Sequence, residues 1–316
     1  LPECSSSHTD QALERARAEQ FRNLARRLAE SCEAGIMASE KSKILVVGGT
    51  GHLGRHVVAA SARLGHPTIA LVRDMAPSDP AKAQLLKSFQ DLGVTLVKGD
   101  LYDHASLVSA VKALTWSSPR SGSSRSPTRP GSSPPSRRPA TSRTTAEHNK
   151  FNCSVVLLLS HADARLELGS RHRFFPSEFG LNVDRTGAVE PARSILSAKV
   201  AIRRAVEASE IPYTFVVAGF FAGHGLPSIG QVLSRAPPTD KAVVLGDGNT
   251  KVVFVEEGDI GTYTVLAAAD PRAKNKTLYI KPPADTLSHN ELLSLWEKKI
   301  GKTFRREYLP EDAVLK

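Results

Sequence analysis

The chain has 316 residues and a formal net charge of +10, long enough for one large α/β domain with a smaller lobe. The excess charge is concentrated. Residues 117–150 hold Arg120, Arg125, Arg129, Arg137, Arg138, Arg143 and Lys150 against Glu147 alone, with no Phe, Trp or Tyr between them, which argues against a stacking platform for single-stranded nucleic acid. No apolar run is long enough to span a bilayer as a helix.

Residues 10–31 suit a short charged helix with Leu13, Phe21, Leu24 and Leu28 on one side. Its glutamates make it a poor transit peptide. Met37 opens a fresh run, Met-Ala-Ser-Glu-Lys-Ser-Lys-Ile, so residues 1–36 are expected to be a non-native or disordered extension. Cys4, Cys32 and Cys153 fit no metal-ligand spacing and demand no disulfide. That suits a reducing compartment and predicts a cytoplasmic location.

From Lys43 the pattern alternates. Strands are expected at 44–48, 68–72 and 94–98, and helices at 52–64, 80–92 and 104–113. Repeated β-then-α units predict a doubly wound parallel sheet with right-handed crossovers. Between the first strand and first helix lies Gly48-Gly49-Thr50-Gly51-His52-Leu53-Gly54. Strand, glycine turn and helix is the context that a dinucleotide fingerprint requires. The glycines permit a tight turn, close approach of backbone to a diphosphate and close helix–strand packing. The diphosphate would rest on unpaired amides at the helix N-terminus.

The second strand ends at Arg73. An arginine there accommodates the 2′-phosphate of NADP, whereas an acid would bind the ribose hydroxyls of NAD. Lys82 supplies a second candidate cation at a helix entry. Asp74 is the counter-signal: were it to face the ribose instead of Arg73, NAD would be the cofactor. Asp100, closing the third strand, either touches the adenine edge or starts the next turn.

The pattern then breaks. Residues 117–145 are mostly Ser, Pro, Arg and Thr with almost nothing apolar, and such composition cannot offset the entropy of ordering. Residues 117–150 are expected to be disordered and the sheet to lack a proper fourth strand. Residues 155–159 offer a makeshift one. After Arg173 the alternation resumes: Phe174-Phe175 enters Pro176-Ser177-Glu178-Phe179-Gly180. A helix is expected over about 194–209, strands at 213–217, 242–245, 251–255 and 277–280, and a further helix at 291–300.

Taken together, the loop 48–54, Arg73, the segment Phe174–Gly180, Ala198-Lys199-Val-Ala-Ile-Arg-Arg204 and Phe221-Ala-Gly223 resemble the plant isoflavone reductase-like group. This group includes phenylcoumaran benzylic ether and pinoresinol–lariciresinol reductases, and belongs to the NmrA-like, atypical short-chain dehydrogenases. The resemblance covers roughly residues 37–114 and 173–316. It implies an NAD(P)-binding Rossmann fold with a smaller C-terminal substrate lobe, drawn mainly from 219–316, and residues 117–170 as an aberrant or disordered interruption. It implies NADPH as cofactor, contacted by the loop 48–54, Arg73, Lys82 and Arg203. Lys199 corresponds to the group's catalytic lysine, a general base on a substrate phenol. Deprotonation expels a benzylic ether oxygen, and hydride from NADPH reduces the resulting quinone methide. Residues four apart share a helix face, so Arg203 is expected to lend Lys199 a neighbouring positive charge that favours its neutral form.

The departures are specific. Ile195 stands where a conventional short-chain dehydrogenase has its Tyr, so no Tyr–Lys relay is present. Gly219 replaces a frequent Asn, and His224-Gly225 replace bulkier aromatics. His224 reads as a partly buried structural histidine, with a bond to a substrate oxygen as the alternative. The fourth strand has no match. Leu114–Ser121 can be written in codons whose shifted frame reads Asp-Val-Val-Ile-Ser-Ala-Val, the missing strand, so a frameshift is the expected cause.

The sequence thus predicts an NADPH-dependent reductase of phenylpropanoid-derived substrates. The expected partners are a small phenolic molecule and a second copy of the chain, with neither nucleic acid nor membrane and no metal. The alternatives are a non-catalytic NADP(H) sensor, which needs no general base, or the inactive product of a disrupted gene.

Overall fold

The computed structural model describes residues 41–103, 105–107, 109–110, 157–161, 172–209, 211–231, 234 and 236–314. The chain divides into two units between Lys41 and Ser42, and the second is described here. The expectations for residues 1–36, for 117–150 and for the end of the helix at 104–113 fall outside the described residues.

A five-stranded sheet has the order β3-β2-β1-β4-β5. Its strands are β1 (Ile44–Val47), β2 (Thr68–Val72), β3 (Thr95–Lys98), β4 (Leu157–His161) and β5 (His172–Phe175). β1, β2 and β3 run parallel. Every residue of β1 and β2 is buried, as interior parallel strands require because both faces are covered. Ile44 and Val46 join one apolar cluster, while Leu45 and Val47 join the cluster on the opposite face. This period-two division makes a continuous apolar run read as a strand.

β4 departs from the all-parallel expectation. It occupies the interior position between β1 and β5, but runs antiparallel to both. The makeshift strand therefore exists, displaced by two residues and reversed. Residues 162–171 join it to β5. Antiparallel neighbours need only a short connection, whereas parallel ones need a crossover.

Beyond β5, Phe174 bridges Tyr213 in parallel fashion. This leads to β6 (Thr214–Val217), whose parallel partner is β10 (Lys276–Tyr279). The C-terminal lobe adds small sheets. β7 (Phe220–Phe221) pairs with β9 (Lys251–Val255), which also pairs with β11 (Thr286–Ser288). β8 (Lys241–Leu245) pairs with β12 (Arg305–Leu309).

Seven helices are described as whole elements: α1 (Gly54–Arg63), α2 (Pro80–Asp91), α3 (Ala192–Ala208), the short α4 (Ala222–Gly225), α5 (Glu257–Ala269), α6 (His289–Ile300) and the short α7 (Glu311–Val314). Local chemistry sets several ends. Asp79 caps α2, with Pro80 in its first turn, where a missing N–H is harmless. Ser288 and Glu291 form a capping box on α6, which ends at the left-handed Gly301.

α5 is absent from the sequence expectation. Its apolar residues surround the helix, with Ile260, Thr264, Val265, Ala267 and Ala268 all buried, so it shows no two-sided pattern. It packs on α1 at very close range: a Cβ on Gly261 would lie 2.8 Å from the His56 carbonyl oxygen. Buried Arg173 on β5 donates to the carbonyls of Ala267 (2.9 Å) and Asp270 (2.7 Å), satisfying orphan groups at the helix end.

Asp259 in the first turn of α5 titrates far from its ordinary range. Burial, and then the negative charges of Glu256 and Asp285, push its pKa up to about 6, against the pull of Arg63. The folded state then holds this proton more tightly than the unfolded chain does. Stability is therefore fullest below the unfolded carboxyl value, about 4, and falls as pH rises towards about 6. Asp259→Asn should raise the melting temperature at pH 7 relative to the parent and leave it nearly unchanged at the acid end of that window. Thermal denaturation across the window checks this, and an equal gain at all pH values would contradict it.

Candidate functional site

The loops at the C-terminal ends of β1, β2, β5 and β6 carry the glycine turn, Arg73, Glu178 and Gly219, while Lys82, Lys199, Arg203 and His224 lie on helices. In open α/β sheets, ligands bind at this edge. The glycine loop turns tightly. Gly48 has φ +78° and its carbonyl accepts from Gly51 N at 2.9 Å. Gly54 opens α1, and a Cβ there would lie 2.1 Å from the Gly48 oxygen, so a side chain is excluded. α1 has no side-chain cap and no acid in its first turn. Its N-terminal amides thus suit an anion. Thr50 is exposed and Leu53 is buried beneath the turn.

At the end of β2, Arg73 is exposed, and among the described residues no hydrogen bond or ion pair holds it. Asp74 is occupied locally, its carboxylate accepting from Ala76 N at 3.0 Å. That geometry favours Arg73 over Asp74 as the group available to a ribose substituent. Lys82 is also exposed, in the first turn of α2. Asp100 takes the turn role: its carboxylate accepts from Tyr102 N at 3.0 Å.

Lys199 is half-buried on α3, and its Nζ donates to the main-chain carbonyl of Glu178 at 2.9 Å. One turn later, Arg203 grips the carboxylate of the same residue. Its Nε donates to Glu178 Oε1 at 3.0 Å and its Nη2 to Oε2 at 2.7 Å. Its Nη1 donates to Asn182 Oδ1 (2.9 Å) and Asp184 Oδ2 (2.8 Å), and the guanidinium lies 4.9 Å from the Phe215 ring centre. The side chains of Arg203 and Glu178 are each only 2% exposed. Burial alone would favour neutral Arg203, but the hydrogen bonds to Glu178 and Asp184 outweigh it and strengthen its hold on its proton. The Arg203 hydrogen bond in turn holds the Asp184 carboxyl below its usual range.

This corrects one expectation for Arg203. Each of its three nitrogens already donates to a protein oxygen, so it acts as a buried strut. It does not lend Lys199 net positive charge, because Glu178 and Asp184 neutralise it. His224 also departs from expectation: it is exposed, and among the described residues it makes no hydrogen bond.

Residues 40–115 and 159–316 match the NmrA-like family. This chain belongs to the NmrA-like family. The isoflavone reductase homolog IRL of Zea mays is 69% identical over 280 residues, covering 89% of this chain and 81% of that protein. Phenylcoumaran benzylic ether reductase TP7 of Nicotiana tabacum is 49% identical over 278 residues, covering 88% and 81%. The solved structure of AtPrR2 with NADP+ and (+)pinoresinol has a TM-score of 0.65 and 32% identity, over 86% of this chain and 80% of that one. The NmrA-like match omits residues 116–158, the stretch where the β/α pattern breaks.

Within this NmrA-like frame, one site residue escaped the sequence reading. Glu257, at the start of α5, is buried and meets His52 of the glycine loop, its Oε1 lying 2.9 Å from His52 Nε2. The available signal was the acidic pair Glu256-Glu257 directly after an apolar strand, a pattern typical of a helix start.

Removing Arg203 leaves Glu178 charged, buried and unpaired, which costs about 3–5 kcal/mol for such pairs. Arg203→Met should therefore lower stability by that order in denaturant titration. A double change with Glu178→Leu should recover part of the loss. A loss below about 1 kcal/mol, the scale of an exposed pair, would show that the pair is dispensable.

Proposed function

We propose that this NmrA-like chain is an NADPH-dependent reductase of phenylpropanoid-derived phenols of the benzylic ether, lignan or isoflavonoid type. One juxtaposition carries the reading. An uncapped glycine cradle with Arg73 free beside it shares one sheet edge with a nitrogen, Lys199 Nζ, fastened to a main-chain carbonyl. Among the relatives named above, TP7 is a phenylcoumaran benzylic ether reductase and IRL an isoflavone reductase homolog, and AtPrR2 was solved with NADP+ and (+)pinoresinol.

The residues present fit the cofactor. Gly54, where a side chain would strike the Gly48 oxygen, lets helix and strand pack closely, and Gly51 lets backbone approach a diphosphate. The loop Gly48, Gly49, Thr50, Gly51, His52, Leu53 and Gly54 would hold that group, and Arg73 with Lys82 would face the 2′-phosphate. When bound, NADPH supplies the hydride. Lys199, in its neutral form, acts as general base on the substrate phenol, its lone pair taking the phenolic proton, and the Glu178 carbonyl fixes its Nζ by accepting a hydrogen bond from it. Removal of the phenolic proton makes the ring an electron source that expels the benzylic oxygen. On this reading the protein works in the cytoplasm, its assembly is a homodimer, and the break at 116–158 reflects a shifted reading frame. Sequencing the transcript checks the last point.

Two variants test the chemistry. Lys199→Ala should abolish turnover of a phenylcoumaran while NADPH still binds with parental affinity, as measured by fluorescence titration. Undiminished turnover would remove Lys199 from the mechanism. Arg73→Ala should weaken NADPH binding by about 1.5–3 kcal/mol, the scale of a hydrogen bond to a charged group. It should leave NADH, which lacks the 2′-phosphate, nearly unaffected. Equal losses for both cofactors would make Arg73 structural.

A further inference from the structure

Three segments distant in sequence meet on one buried carboxylate. Glu257 opens α5 with its side chain 5% exposed. Its Oε1 accepts from Nε2 of His52, in the glycine loop, at 2.9 Å. Its Oε2 accepts from the backbone N–H of Gly223, in α4, at 3.1 Å. The His52 ring also stacks on Phe221, with centroids 5.9 Å apart and planes 24° from parallel. Gly223 fits closely, since a Cβ there would come within 2.8 Å of Glu257 Oε1. Burial opposes the charge on Glu257. The hydrogen bonds from His52, from Gly223 and from its own backbone prevail and hold it below the usual carboxylate range, so both lone-pair contacts persist at neutral pH.

The segment held at Gly223 is tied at its other end to the surroundings of Lys199. Ala218 N and Gly219 N both donate to the Gly180 carbonyl, at 3.2 and 3.3 Å. Gly180 lies two residues beyond Glu178, whose carbonyl holds Lys199. Residues 218–223 therefore run from the lysine's anchor to the glycine loop's anchor.

We propose that Glu257 is a positioning residue. It fastens the glycine loop to the Phe220–Gly225 segment, so that seating a dinucleotide on the loop orders the wall beside Lys199 against which a phenolic substrate rests. The proposal rests on the reading of the glycine loop as the cofactor cradle. A carboxylate suits this task because it has two oxygens, one for each segment. A group serving only the stability of α5 would not need a partner in the phosphate loop.

The test uses the full chain, with NADPH as the probe and two readouts besides activity: NADPH affinity by fluorescence titration, and amide hydrogen exchange of residues 220–225 with and without NADPH. In the parent, NADPH should slow exchange in that segment. Glu257→Gln keeps the shape but cannot accept from both donors. His52→Phe keeps the stack on Phe221 and removes the hydrogen bond to Glu257 along with a long, exposed contact to Arg55 (3.4 Å), at a side chain 42% exposed. Each should weaken NADPH binding about tenfold, the scale of a hydrogen bond to a charged group, and abolish the NADPH-dependent slowing at 220–225. The double variant should lose no more than about threefold beyond either single one, as coupled neighbours do. Should Glu257→Gln fail to fold, His52→Phe alone decides. Parental NADPH protection of 220–225 in His52→Phe, or losses that simply add, would overturn the latch. A parent that binds no NADPH would overturn the cradle reading itself, which is a different result.

Discussion

The buried pair of Arg203 and Glu178 organises the candidate site. Two charges with 2% exposed side chains survive in an apolar interior only if each is fully hydrogen-bonded by the other and its neighbours. Here a fork of two bonds joins them, and Asn182 and Asp184 take the remaining donor. The pair fixes the turn of α3 against the segment following β5. With that rotation set, Lys199, four residues earlier on the same face, brings its Nζ to the Glu178 carbonyl. Phe179, next in the chain, has φ +50°, unusual for a bulky residue. It is held there by its own burial and by its amide donating to Val216 at 2.8 Å. Strain of this kind persists only where surrounding structure determines it, and the ion pair beside it is that surrounding.

The sheet explains why these parts meet. β1 and β2 have no exposed residue, so both faces must be covered: α1 and α5 pack on one side, and the cluster that includes Leu107 and Ala110 lies on the other. The interior position beside β1 also needs backbone pairing on both edges, since unpaired buried amides are costly. Leu157–His161 fills it in reverse. Hydrogen bonding demands a partner strand but accepts either direction. The glycine loop, Arg73 and the Glu178–Gly180 turn all leave the same edge because β1, β2 and β5 point the same way, whatever β4 does.

Much of this was legible in the chain. The alternation of Ile44–Val47, the glycine loop and the segment after it placed β1 and α1 to within a residue or two, because strand and helix periods are local properties. The same holds for β2, α2, β9 and α6. α5 was not legible: its apolar residues, Ile260, Tyr263 and Val265 to Ala269, lie on every side of the helix, so no polar face makes a period visible. With α5 went Glu257, whose part in the site depends on contacts with His52 and Gly223, far away in sequence.

By itself, the sequence determined the kind of fold, the glycine cradle, the position of Arg73 at a strand end, and the NmrA-like membership that these motifs carry together. Each of these depends on neighbours within a few residues, or on a set of such local patterns. Only the tertiary structure decided that Arg203 braces Glu178 and Asp184, that Asp74 and Asp100 serve their own turns, that β4 runs backwards, and that one carboxylate joins the glycine loop to residues 220–225. These are choices among partners for a charge or a backbone edge. A charged side chain in a sequence carries its demand for a partner but not the identity of that partner, which exists only once distant segments are folded against one another.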